Sequence, residues 1–532
     1  MGAQGMPTPE QIWADADLPT CRLAGLALNP ATPETVLLRL LADAPLAARM
    51  VLCRDRILPD AVVDAVIEHL DRYTRSFFAR NSHVDPAQRA RLVDDPHWFV
   101  RAHLAQGPGW AAPARPGPLP DETVVHMMNT YDDEHLGGLF YQQISAGLRR
   151  SMPTHPVAKV RWWGVGRWKS LSADVRTALL TDPDDEVRER AQRAARFEDP
   201  AWVESELPDR SCHARTGMLL HDALSRAVVD GVLTSPVGIE DRAMIAGNPT
   251  LPPDVVVLLA ADPDPEVRDE IAHRADLGPA ERHTLVAAPD PDIRARVARR
   301  ADLGPAERRT LATDPDPKVR LAVSVHPALS EEERGRIDYA VPMDHPFVFH
   351  PAPEVPRDPG TVRRNALSNH PMLRREAAWD HLLPPDLVAR LAADDDLGVR
   401  VLLAQNHPDA PAPLLLRSFL EYTGPERDHL ITRPNFPTGG LAAFADHEDP
   451  EVRALATRDP GTRPAVVERL TRDPDSAVRA AATRHPRLPQ SRLAELLDDE
   501  ELAHAAATNP ALSSDAIHWL VKTDGRRSRP PA

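Results

Sequence analysis

ADPDPEVRDEIAHRADLGPAERHTLV (261–286) runs directly into AAPDPDIRARVARRADLGPAERRTLA (287–312), and TDPDPKVRLAVSV (313–325) opens the pattern a third time. The Val/Ile-Arg pairs set Arg268, Arg294 and Arg320 at intervals of 26. Followed backward, the step reaches Arg242, Arg215, Arg188 and Arg161, then Arg101, Arg75, Arg49 and Arg22. Followed forward, it reaches Arg374, Arg400, Arg427, Arg453 and Arg479, with steps of 26 or 27. Units near His135, Phe347 and His504 keep the register without the arginine, giving about 19 units. A period of this length marks a stack of supersecondary units, not a set of independent domains.

Each unit has a physical logic. Asp264 is an N-cap, Pro265 stands in the first turn where its missing N–H costs nothing, and Glu266 meets the positive helix end. Val267, Ile271 and Ala272 form an apolar face at helical spacing, and Leu277-Gly278-Pro279 turns the chain into a second helix that buries Leu285 and Val286. Helices this short are not stable alone and must bury their faces against neighbouring units. The expected fold class is all-α: a right-handed α-solenoid superhelix of about 19 two-helix repeats, built of α and 3-10 helices.

The stretch NPTLPPDVVVLLAADPDPEVR (248–268), echoed in NPATPETVLLRLLAD (29–43), HPRLPQSRLAELLDD (485–499) and NPALSSDAIHWLV (509–521), resembles the leucine-rich repeat variant family, close in style to HEAT-like repeats. That resemblance implies alternating short α and 3-10 helices and an interaction scaffold, and it names no reaction. One member type carries an iron–sulfur cluster on grouped cysteines. Here Cys21, Cys53 and Cys212 lie far apart, so that cofactor does not carry over, and neither a cofactor nor a metal is expected.

Composition fits the same picture. The 56 prolines, roughly three per unit, punctuate helices. A net charge of −16 disfavours a general nucleic-acid coat or an anionic-membrane binder, although a local basic patch is compatible with it. The first residues show no signal-peptide pattern and no apolar run reaches membrane-spanning length, so a cytoplasmic protein is expected.

Boundaries follow from breaks in the period: N-terminal repeats over 1–106, an aromatic-rich insertion and irregular repeat over 107–160, and regular repeats over 161–338. A Pro-rich insertion over 339–361, C-terminal repeats over 362–521 and a basic disordered tail over 522–532 complete the chain. Fifteen of the 24 aromatic residues lie in the first 202 residues, and residues 203–338 hold none. Phe77, Phe78, Trp98, Tyr131, Tyr141, Trp162, Trp163 and Trp168 therefore have two readings: core filler around the insertion, or an aromatic groove that anchors a partner.

The arginine series is read as structural, each guanidinium reaching Asp264-type carboxylates four residues back or an acid of the adjacent unit. The Asp-Pro-Asp-Pro turns lack the glycine and distal Glu of a calcium loop and are read as caps. Asp132, Asp133, Glu134 and His135 point different ways on a helix start, and Asp344, His345 and His350 form a sparse loop group. No Walker, zincin, nucleophile-elbow or dinucleotide motif is present. The expected function is non-enzymatic binding of a protein or peptide through the aromatic N-terminal 200 residues. Two alternatives stand beside it: a nucleic-acid-binding or DNA-repair HEAT-like protein, and a metal-dependent enzyme centred on 121–150.

Overall fold

The computed structural model describes residues 8–14, 16–108, 117–131, 136–235, 239–341 and 358–528. It is all-helical, 63% helix, with no strand among the described residues. In the central units the first helices are Pro265–His273, Pro291–Ala298 and Pro317–Ser324, and the second helices are Pro279–Val286 and Pro305–Ala312. Asp264, Asp290 and Asp316 cap the first helices, accepting the N–H two residues on. Both helices of these units are α. Among the described residues, 3-10 helix occurs as five short segments, Gly138–Gln143, Met152–Thr154, Val165–Ser170, Leu441–Phe444 and Ala456–Arg458, and does not alternate through the chain.

First helices stack on first helices: Ile239–Gly247 on Pro265–His273, and Pro291–Ala298 on Pro317–Ser324. Val267, Ile271 and Leu285 are fully enclosed between units. Each such side chain contributes about 1.5–3 kcal/mol of burial free energy that an isolated unit would forgo. No helix among the described residues is long and apolar enough to cross a membrane.

A second device, which the period alone does not show, fixes the register. In these central units the residue that follows the first helix donates its side chain to the backbone carbonyl of the equivalent residue one unit earlier. Arg274 Nη1 bonds the Asn248 carbonyl, Arg300 Nη1 the Arg274 carbonyl, and His326 Nε2 the Arg300 carbonyl at 2.9 Å. His326 Nδ1 accepts the Ala328 N–H, which leaves Nε2 as the donor. Asn, Arg and His serve equally, because the interface asks only for a donor at that height.

The chain forms two compact units: residues 1–191 together with 438–532, and residues 192–437. Neither division falls at a boundary expected from the period. The first unit is discontinuous because its N-terminal repeat packs on its C-terminal repeats, helix Leu18–Leu28 lying against Ala503–Ala507. The carbonyl hooks continue across this seam. Asn509 Nδ2 reaches the Thr483 and His485 carbonyls at 2.7 and 2.9 Å, and Asn29 Nδ2 reaches those of Ala507 and Asn509, both at 2.8 Å. Asn81 then repeats the arrangement on Cys53 and Arg56. Structurally, the first repeat is the successor of the last.

Gly25 permits the approach: a Cβ there would stand 2.3 Å from the His504 carbonyl oxygen. Buried Arg22 donates to the Leu497 and Gly525 carbonyls, each at 2.7 Å, and to Asp498. Gly525 belongs to the stretch expected as a disordered tail; residues up to 528 are described, and Ser528 bonds Asp498. The expected insertion over 107–160 also contributes to the core, with Leu119, Val124, Met127, Met128, Leu136 and Ile144 buried in the cluster that holds Leu23 and Leu520. Of the second insertion, 339–361, residues 342–357 lie outside the described residues, and helix Pro359–Leu367 already begins within it.

If the seam is an ordinary repeat interface, Asn29→Ala and Asn509→Ala should cost the same, about 1–3 kcal/mol for the carbonyls left buried and unpaired. Chemical denaturation measures both. A silent Asn29→Ala beside a costly Asn509→Ala would refute the equivalence.

Candidate functional site

The periodic arginines occupy one recurring geometry. In its full form Nη1 turns back to the carbonyls six and five residues earlier: Arg294 to Ala288 and Pro289, Arg374 to Ser368 and Asn369, Arg453 to His447 and Glu448. Nε and Nη2 reach forward as a fork to an aspartate of the next unit. The pairs are Arg75–Asp95 (2.6 and 3.0 Å), Arg161–Asp182 (2.7 and 2.8 Å), Arg294–Asp314 (2.8 and 2.9 Å), Arg374–Asp394 (2.6 and 3.0 Å) and Arg453–Asp473 (2.9 and 2.8 Å). Arg242 meets Asp262 through Nε alone at 3.2 Å. The two aspartates of an Asp-Pro-Asp turn thus have separate tasks. The first receives the preceding unit's arginine and the N–H of the second, as Asp314 does from Asp316, and the second caps the helix. Asp264 and Arg268, four residues apart, are not partners. The Arg161 guanidinium holds the Asp182 carboxyl below its ordinary range, and Arg294 and Arg453 do the same for Asp314 and Asp473.

Other members depart from this form. Arg49 pairs with Asp71, Arg215 with Asp241, Arg400 with Glu421 and Arg479 with Glu501. Arg188 turns to Asp185 on its own helix, and Arg320 donates to the Asp338 carbonyl. Arg101 lies over the Tyr131 ring at 5.5 Å, Arg427 lies over Phe419 at 4.4 Å, and Arg22 belongs to the seam. Arg268 keeps its backward bonds, but its buried Nε has no partner among the described residues. The reason is one residue: Ala288 stands where Asp262, Asp314, Asp394 and Asp473 receive the arginines of their preceding units.

The eight aromatic candidates separate by burial. Phe77, Phe78, Tyr131 and Trp168 are buried; the Tyr131 hydroxyl donates to the Val93 carbonyl, and Phe77 and Phe78 fill both sides of a helix with neighbours on either flank. The remaining four form two groups in different places. Trp98, 48% exposed, stacks on His97 and meets Phe99 edge-on at 5.7 Å, with Leu70 98% exposed in the preceding unit. Trp162, Trp163 and Tyr141 form a T-shaped series, with Trp163 5.8 Å from Trp162 and 5.9 Å from Tyr141.

Helix Ala158–Gly164, seated closely on Pro153 because Gly164 carries no Cβ, presents Trp162 and Trp163, and the 3-10 segment Gly138–Gln143 presents Tyr141. Lys159 Nζ stands 4.4 Å from the half-buried Trp162 ring, and the Arg190 guanidinium 3.5 Å. A Cβ at Gly166 would lie 3.6 Å from the Tyr141 hydroxyl and 3.8 Å from Arg190 Nη2, so these groups border one small surface. Neither Lys159 nor Arg190 is conspicuous in sequence. Lys159 sits one helical turn from Trp162, a visible spacing, whereas Arg190 arrives from the next unit.

Catalytic geometry is sparse. Among the described residues no group of three or more His, Cys, Asp or Glu could hold a metal. Asp132 to His135, Asp344, His345, His350 and Trp110 lie outside the described residues. Burial lowers the pKa of His370 to about 4; its Nδ1 accepts the Met372 N–H, Ser324 Oγ lies 2.8 Å from Nε2, and Tyr339 stacks on the ring at 4.2 Å. His370 caps Pro371–Ala378, a structural task.

Two stability measurements follow. Ala288→Asp supplies the missing carboxylate to Arg268 and should raise stability by about 1 kcal/mol, whereas Asp314→Ala, which strands Arg294, should cost about 2–3 kcal/mol; urea midpoints distinguish them. His370, neutral in the fold, binds its proton first in the unfolded chain. Its contribution is complete above about pH 6.5 and lost as pH falls toward 4, at most about 3 kcal/mol. His370→Asn, which retains a cap, should flatten that part of the stability–pH curve; an unchanged slope would show that His370 does not produce it.

No protein-family model matches the chain, and no curated protein is significantly similar to it. A solved structure of an engineered protein aligns over 97% of this chain and 98% of its own at 14% identity, with a TM-score of 0.10. A likeness at that level carries no argument about fold or function.

Proposed function

We propose that this chain is a non-enzymatic repeat scaffold, of the leucine-rich repeat variant kind, that binds a protein or peptide at the surface around Trp162. One observation carries the reading: the Trp162 indole has two cationic side chains, Lys159 and Arg190, against its ring, with Trp163 beside it and Tyr141 beside Trp163. Aromatic residues and arginine dominate the energetics of protein interfaces because they bury large area at small entropic cost. The flanking Lys159 and Arg190 suit a segment that carries carboxylates next to an aromatic or aliphatic anchor. The overall charge of −16 favours such a local contact over a nucleic-acid backbone, which needs a continuous basic track.

Peptides selected from a random display library on the folded protein should carry that acidic-plus-apolar pattern. Trp162→Ala should weaken them at least about tenfold, a loss of about 1.4 kcal/mol, with an unchanged melting temperature. Undiminished binding by a folded Trp162→Ala variant would eliminate this surface. Saturable, strongly salt-dependent binding of duplex DNA in the same assay would favour the nucleic-acid reading instead.

A further inference from the structure

The seam within the first unit differs from every other repeat interface in one respect: no short covalent link joins its two sides. Its contacts are the internal ones. Asn29 hooks the Ala507 and Asn509 carbonyls as Asn509 hooks those of Thr483 and His485, and Thr508 Oγ1 donates to the Gly25 carbonyl at 3.2 Å. Both edges are apolar where they meet. Leu23, Leu26 and Ala27 on one side, and Ala503, Ala506, Ala507 and Leu520 on the other, are buried. Repeat arrays need a polar outer face wherever stacking stops; these two edges would offer apolar surface and unfilled carbonyls if they separated.

We propose that the seam is exchangeable, and that the second partner for each edge is the opposite edge of another copy of this chain. An edge released from its own molecule is matched in shape, apolar area and hydrogen-bond register by the complementary edge of a second molecule, because those contacts are the ones it has just left. Exchange between two copies rebuilds two identical seams. The balance between closed monomer and exchanged dimer then depends on protein concentration relative to the effective concentration within one chain. This inference does not depend on the Trp162 surface.

The Arg22–Asp498 pair makes it testable, since one residue lies on each edge. Arg22→Asp and Asp498→Arg each place like charges across the seam of their own chain. Mixed and refolded together, they should form a one-to-one dimer at twice the 58.5 kDa of one chain. In that dimer the substituted edge of one chain meets the substituted edge of the other, and the two native edges meet each other, so both seams again join opposite charges. The double variant restores the pair within one chain and should be monomeric. Light scattering after size exclusion reads all three, and a purely monomeric mixture of folded variants overturns the proposal. If either single variant fails to fold, the wild-type chain serves. Refolded at concentrations from about 1 µM to about 1 mM, it should yield a rising dimer fraction that persists on dilution, and monomer alone throughout that range overturns the proposal.

Discussion

The interaction on which the rest of this structure depends is a side-chain donor of one unit meeting a backbone carbonyl of the unit before it. Apolar burial supplies most of the driving force, yet it is non-directional and would tolerate neighbouring helices sliding past each other. The hooks do not tolerate it. Arg274 on Asn248, Arg300 on Arg274 and His326 on Arg300 fix each helix end at one height. The forked arginines fix the other end, since a guanidinium that bonds two carbonyls behind and a carboxylate ahead has one position available to it. With both ends pinned, helices of eight or nine residues persist that would melt in isolation.

The period was legible because near-identical units lie side by side at 261–325, and one register recognised there extends to both ends of the chain. The carboxylate each arginine uses was less so. Asp264, four residues before Arg268, looks like a helical ion-pair partner, but it caps the helix through the Glu266 N–H while Arg268 turns back to the Asp262 and Pro263 carbonyls. The true partner position lies 20 residues ahead, in the turn of the next unit, and is recognisable in sequence only once the stacking is known. The hooks are hidden for a different reason: Asn, Arg and His share a donor and little else, so no residue pattern marks them. The seam joins residues 478 and 480 positions apart, beyond any local signal.

The aromatic cluster divided for reasons of burial. Two consecutive phenylalanines on a helix would normally point apart, one inward and one outward. Phe77 and Phe78 are both enclosed because a helix in the middle of a stack has a neighbour on each side. Trp162 escapes enclosure near the irregular stretch, where 3-10 segments at Met152–Thr154 and Val165–Ser170 continue from the ends of helices Ala146–Ser151 and Ala158–Gly164. The proposed binding surface thus lies where the repeat is least regular, as is common for repeat arrays that carry insertions on one face.

The discontinuity of the first unit sets an order of assembly. Residues 8–191 leave the ribosome first, but the repeats that cover the Leu23 and Leu26 edge, residues 438–528, are made only after all of 192–437. Synthesis therefore presents the two halves of this unit in the reverse of their stacking order, with the second unit finished in between. The N-terminal repeat spends that interval with its apolar edge uncovered by its own chain.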